Sequence, residues 1–153
     1  MRTIKIESIL EVPNDFTGIA EYPDGTKFWF LNGKIHREND LPAMEYANGS
    51  KEWWLNGELH RDNDLPAIEY PNGTKYWYLN GKIHRENDLP AIEHADGRKE
   101  WWLNGELHRE TDPAIKYPNG TRKWYYCGKQ YKTLEEIQKV HQERIMNPNI
   151  VLQ

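Results

Sequence analysis

Residues 67–90 read AIEYPNGTKYWYLNGKIHRENDLP, and this stretch decides the fold. Two Asn-Gly pairs, Asn72-Gly73 and Asn80-Gly81, flank the aromatic run 75–79. Asn-Gly between strand-forming runs is a strong hairpin signal, because both residues of a two-residue turn need positive φ. The runs are too short for helices and rich in strand formers. Each Asp-Leu-Pro-Ala junction then interrupts the pairing, since proline donates no ladder hydrogen bond.

The same grammar recurs along the chain. Gly25, Gly49, Gly73 and Gly97 follow one another every 24 residues, and Gly120 comes 23 later. A second series, Gly33, Gly57, Gly81, Gly105 and Gly128, keeps step with it. Units span approximately 19–42, 43–66, 67–90, 91–113 and a degenerate 114–132. A longer period lies on top: Lys34, Glu58, Lys82 and Glu106 alternate at one position, as duplication of a two-unit block would leave them. The predicted architecture is all-β, an elongated single-sheet meander or solenoid of about five hairpin repeats of 23–24 residues. It forms one repeat domain, with an N-terminal strand in residues 1–13, repeats over 14–132 and a capping helix over 133–147.

Alternation along 75–79 places Trp77 and Leu79 on one face and Tyr76 and Tyr78 on the other. The core stripe is therefore expected at Trp29, Trp53, Trp77, Trp101 and Trp124, accompanied by Leu31, Leu55, Leu79 and Leu103. The opposite face carries Phe30, Trp54, Tyr78, Trp102 and Tyr125, a candidate partner-binding surface of rigid amphipathic rings. Hairpin register stays open, and a slip of one residue would exchange the two faces. Thr3 to Leu10 reads as one added strand. Thr133-Leu-Glu-Glu136 reads as a capping box, followed by a helical stripe of Leu134, Ile137, Val140, His141 and Ile145 that Asn147-Pro148 ends.

Composition narrows the functional classes. Of the 153 residues 37% are hydrophobic, 29% charged and 12% aromatic, so the apolar content is concentrated in rings, as repeat multiplicity explains. A net charge of -4 argues against general nucleic-acid binding. One cysteine, Cys127, excludes an internal disulfide framework. No run of about 20 apolar residues is present to span a bilayer, and a cytoplasmic location is expected.

His36-Arg37, His60-Arg61, His84-Arg85 and His108-Arg109 recur once per unit. Equivalent histidines at least two strands apart stand ~10 Å or more from one another, too far to share an ion, so no metal is expected. Arg37, Arg61, Arg85 and Arg109 form either a structural ladder with the acidic turns or an anion-binding stripe. Most polar residues belong to the repeat, and the singular ones, Cys127, His94, Tyr131 and His141, show no convergence in the sequence. The chain is thus expected to be no enzyme, to have no catalytic residues and to need no cofactor.

The unit resembles MORN-like repeats, particularly the viral and bacterial variety in which W-x-x-N-G is followed by H-R and P-A, here in residues 53–67 and 77–91. The resemblance covers residues 14–132, and the closing YYCGKQYKTLEEI is similar to the end of such arrays. Units here carry two glycines and a double aromatic, where ordinary MORN units are richer in glycine. The resemblance implies a meander of hairpins acting as a scaffold or binding module, in some relatives an antitoxin or an accessory protein of tailed phages. A protein partner is expected from it, for a phage-encoded chain a host defence or toxin protein. The alternatives are a nucleotide-signal binder and a virion or rod component that self-associates through an edge strand. Membrane association finds no basic amphipathic helix to support it.

Overall fold

A computed structural model describes residues 1–147. The chain is mostly β, with one 13-stranded mixed sheet of hairpins in meander order and a single C-terminal helix. Strand β1 (Thr3–Lys5) pairs in parallel with β2 (Gly18–Glu21), and β2 pairs antiparallel with β3 (Lys27–Leu31). From there each unit adds two short antiparallel strands, such as Met44–Glu45 and Lys51–Glu52. The middle units also send out a two-stranded hairpin, such as Trp54–Leu55 with Glu58–Leu59. Helix α1 (Leu134–Met146) packs against the last two strands of the sheet.

The two glycine series make different turns. Asn32, Asn56, Asn80, Asn104 and Cys127 have φ between 47° and 54°, and each precedes a glycine of positive φ. These are the two-residue hairpin turns that the Asn-Gly pairs predict. In the other series only the glycine has positive φ. There Tyr70 accepts from Gly73 N–H at 2.9 Å and donates its own N–H to Thr74 at 3.0 Å, a type I turn closed by a glycine bulge. Asn72 stays out of the left-handed region because its side chain caps Thr74 N–H at 2.9 Å.

Register fixes the two faces. Glu21, Lys27, Glu45, Lys51, Glu69, Lys75, Glu93 and Lys99 stand directly opposite one another in succession, alternating in charge. Their neighbours Phe28, Met44, Glu52, Ile68, Tyr76, Ile92, Glu100 and Ile115 line the other face in the same way. Cross-strand pairs of opposite charge or of rings with aliphatics each add some tenths of a kcal/mol, roughly 0.2–1.

Several expectations need correction. Thr3 to Leu10 is not one strand: β1 ends at Lys5, and Ile9–Glu11 forms a 3-10 turn. Ser8 and Glu11 close a reciprocal capping box there, which favours the turn over extension. The leucines do not follow the tryptophans inside. Trp77 is buried, but Leu79 is 38% exposed, as are Leu31 and Leu55. Each leucine stands beside its hairpin turn, opposite Lys34, Glu58, Lys82 or Glu106, where the hairpin end reaches solvent. Trp124 is only half-buried: eight residues on, where Arg61 stacks on Trp53 within its own unit, the last unit has Lys132. Phe30 is buried, packed with Ile6, Phe16 and Ala20 beneath the N-terminal segment. On α1, Ile137 is fully buried, whereas Ile145 is 66% exposed. Glu136 accepts from Lys132 N–H and not from the Thr133 N–H. Pro148 lies outside the described residues.

Candidate functional site

Each unit is joined to the previous one through the same four groups. Arg61 lays its guanidinium 3.7 Å from the Trp53 ring centroid and grips both carboxylate oxygens of Asp40 in the preceding unit. Its Nη1 donates to the Pro66 carbonyl at 3.1 Å, and the Trp53 indole N–H donates to the Asp40 carbonyl at 3.1 Å. Arg85 with Trp77 and Asp64, and Arg109 with Trp101 and Asp88, repeat the arrangement. Arg37 stacks on Trp29 and pairs with Glu45.

The local chain is shaped for this joint. Asn39 and Asp40, Asn63 and Asp64, and Asn87 and Asp88 are all left-handed, with φ of 54–61°. Asn and Asp tolerate that region better than other side chains. The arginine hydrogen bonds hold the carboxyls of Asp40, Asp64 and Asp88 below the usual carboxylate range. The sequence left a ladder and an anion stripe both open. In the structure these guanidinium groups are engaged by carboxylates and carbonyls, so none is presented as an open anion fork.

The histidines tie successive hairpins together. Nδ1 of His36, His60, His84 and His108 accepts the turn N–H of Asn56, Asn80, Asn104 and Cys127, at 3.1–3.2 Å. Burial pushes the His108 pKa down. Among the described residues no three His, Cys, Asp or Glu side chains group as a metal site.

The second aromatic series divides. Trp54, Tyr78, Trp102 and Tyr125 are half-buried, and Phe30 is withdrawn into the core. The indole N–H groups of Trp54 and Trp102 donate to Glu52 and Glu100 at 2.8 and 3.0 Å. On the same face Tyr22, Phe28 and Tyr46 meet edge to face, and so do Tyr70, Tyr76 and His94. Burial raises the Tyr78 pKa. Tyr70 remains 40% exposed, and α1 reaches only the C-terminal end of the sheet. This is an open sheet face paved with rings, seated on the aliphatic row of Met44, Ile68 and Ile92.

Sequence reasoning missed one convergence. Cys127, at φ 47°, places Sγ 3.5 Å from His108 Nδ1, and Arg144 Nη1 donates to that sulfur at 2.8 Å. His141 Nδ1 lies 2.9 Å from the Tyr126 hydroxyl and 3.5 Å from Glu110. Cys127 and His141 therefore meet where α1 docks. The stripe Leu134, Ile137, His141 was the only signal that could have found this. Tyr131 holds its hydroxyl buried and unpaired, and His94 lies apart, against Glu100 and Arg98. No described helix is long and apolar enough to cross a membrane. Compared with known proteins, the chain matches no family model, no curated protein and no solved structure.

Proposed function

We propose that the chain is a non-enzymatic protein-binding scaffold whose ring-paved face is the contact surface. The observation that carries this reading is the row of Trp54, Tyr70, Tyr78 and Trp102 on a face over which no second layer lies among the described residues. Aromatic rings on a rigid, repeated frame present a large contact area at low conformational cost, the property that concentrates binding energy in interfaces. The occupied arginine forks weigh against a nucleotide clamp. A cytoplasmic setting, a MORN-like ancestry and a host protein as target belong to the same proposal and rest on the resemblance alone.

The test compares capture by the wild-type chain with capture by Tyr70→Ser/Trp102→Ser, with melting temperatures measured in parallel. A stoichiometric partner held by the first and lost by the second, at matched stability, supports the reading. Equal capture by both overturns it.

A further inference from the structure

Grooves recur along the array at the repeat period. Residues 37–40, 53–55 and 60–63 line one of about 300 Å³. Residues 61–64, 77–79 and 84–87 line the next, of about 250 Å³, and residues 85–89, 101–103 and 108–111 a third, of about 420 Å³. A fourth, of about 440 Å³, lies at residues 29–31 and 36–39. Each contains one of the outward-turned leucines, Leu31, Leu55, Leu79 or Leu103.

Two buried donors in this row lack an acceptor. His36 and His84 are each 8% exposed. Their Nδ1 atoms accept backbone N–H groups, so the ring proton sits on Nε2. Nε2 of both is buried without a hydrogen bond, and the nearest carboxylates, Glu38 and Glu86, stand off at 3.8 and 3.6 Å. In the second unit the shorter Asp62 does reach His60 Nε2, at 3.0 Å. Buried N–H groups without partners are costly, so these two point to an acceptor that the chain does not itself supply.

Charge and spacing identify that acceptor. Asp40, Asp64 and Asp88 are neutralised by arginines, which leaves Glu38, Asp62 and Glu86, with side chains 73–75% exposed, to make the row acidic. Two strands per unit give a rise of ~10 Å, and three residues of an extended or polyproline II chain rise ~10 Å as well. The backbone carbonyls of such a chain have no internal partners.

We propose that this row binds an extended basic segment of a partner protein, laid across the units with a three-residue period. One backbone carbonyl accepts from His36 Nε2 and another, about six residues along at that rise, accepts from His84 Nε2. Lysine or arginine side chains pair with Glu38, Asp62 and Glu86, and apolar side chains lie on the leucines. Drawing Glu86 outward onto a cation uncovers the His84 N–H, so the two contacts reinforce each other. Trp54, Tyr78 and Trp102 border these grooves as well as the ring-paved face, whereas Tyr70 does not, so Tyr70 separates this site from that reading.

The test uses the full chain and labelled synthetic peptides at low salt. The probes are four Pro-Leu-Lys repeats, a peptide of the same composition with lysines at every fourth position, and a Pro-Leu-Glu analogue. The period-three basic peptide is expected to bind at least about tenfold more tightly than the misspaced one, with no binding by the acidic analogue. In histidine-detected NMR the Nε2 protons of His36 and His84 shift and exchange more slowly on binding, while that of His60 does not. Glu86→Gln weakens the complex several-fold at unchanged melting temperature, and Tyr70→Ser leaves it unchanged. Equal affinity for the two basic peptides, unmoved Nε2 protons, or no binding at all overturns the proposal.

Discussion

Arg61 and Asp40 lie 21 residues apart in sequence and share a two-pronged ion pair, Nε to Oδ1 at 2.6 Å and Nη2 to Oδ2 at 3.0 Å. The guanidinium is at once the lid on Trp53 and the link to the preceding unit. Removing it uncovers an indole and orphans a carboxylate. Arg61→Ala is expected to lower stability by about 2–4 kcal/mol, and Arg61→Lys by about half of that, since an ammonium lacks the planar fork. Chemical denaturation monitored by tryptophan fluorescence gives both values, and equal stability of wild type and Arg61→Lys would contradict the joint.

The same joints set the acid limit. Asp40, Asp64 and Asp88 have lowered folded-state pKa values, caused first by their arginine hydrogen bonds. A depressed carboxylate contributes stability above its unfolded value of about 3.9, and loses it as pH falls through the folded value. His108 acts earlier. Its folded pKa is lowered by burial, so the unfolded chain takes up the proton first and stability declines as pH falls below about 6.5. A pH series of melting temperatures is expected to show a shallow decline from about pH 6.5, absent in His108→Gln, and a steep one below about pH 4.

Burial separates Trp53 from Leu55, two residues along. Trp53→Ala is expected to cost about 3–5 kcal/mol, as large buried aromatics do when truncated. Leu55→Ser, at an exposed hairpin position, is expected to change stability by less than about 1 kcal/mol. Similar losses for the two would place the leucines inside after all.

Two glycines test the turns. At Gly33 a Cβ would collide with the Asn14 carbonyl, in addition to the strain of φ +75°. At Gly73, φ +91°, nothing lies within 4 Å. Gly73→Ala is expected to cost about 1 kcal/mol from backbone strain, and Gly33→Ala at least twice as much. Equal costs would mean that the N-terminal loop does not lie over that turn.

Local signals with one physical cause were legible in the sequence, and those that depend on how neighbours share space were not. Asn80-Gly81 announces its turn because both residues must take positive φ, a property of the dipeptide itself. Trp77 announces burial because a large ring recurs at a fixed phase. Leu79 misled because alternation assigns a face and not the cover over it: Leu79 stands beside its hairpin turn, opposite Lys82, as Leu31 does at the end of β3 opposite Lys34. Phe30 shares its position with Trp54, yet Ile6 and Phe16 cover it, a neighbour that only the first unit has. The parallel pairing of β1 is a long-range choice that three residues cannot encode. The candidate surfaces were half visible. The rings could be named, but the unpaired Nε2 of His84 depends on one methylene, the difference between Glu86 and Asp62.

The terminal elements give the array a further property. At one end β1 runs parallel to its neighbour, and at the other α1 packs on the last hairpin, so both ends differ from the units between them. Between them the units are alike, so inserting whole units lengthens the array without disturbing either end element. Because Lys34, Glu58, Lys82 and Glu106 alternate, insertions by pairs preserve the charge order, at ~20 Å a step. The repeat thus sets a step size along the molecule, as graduations do along a rule.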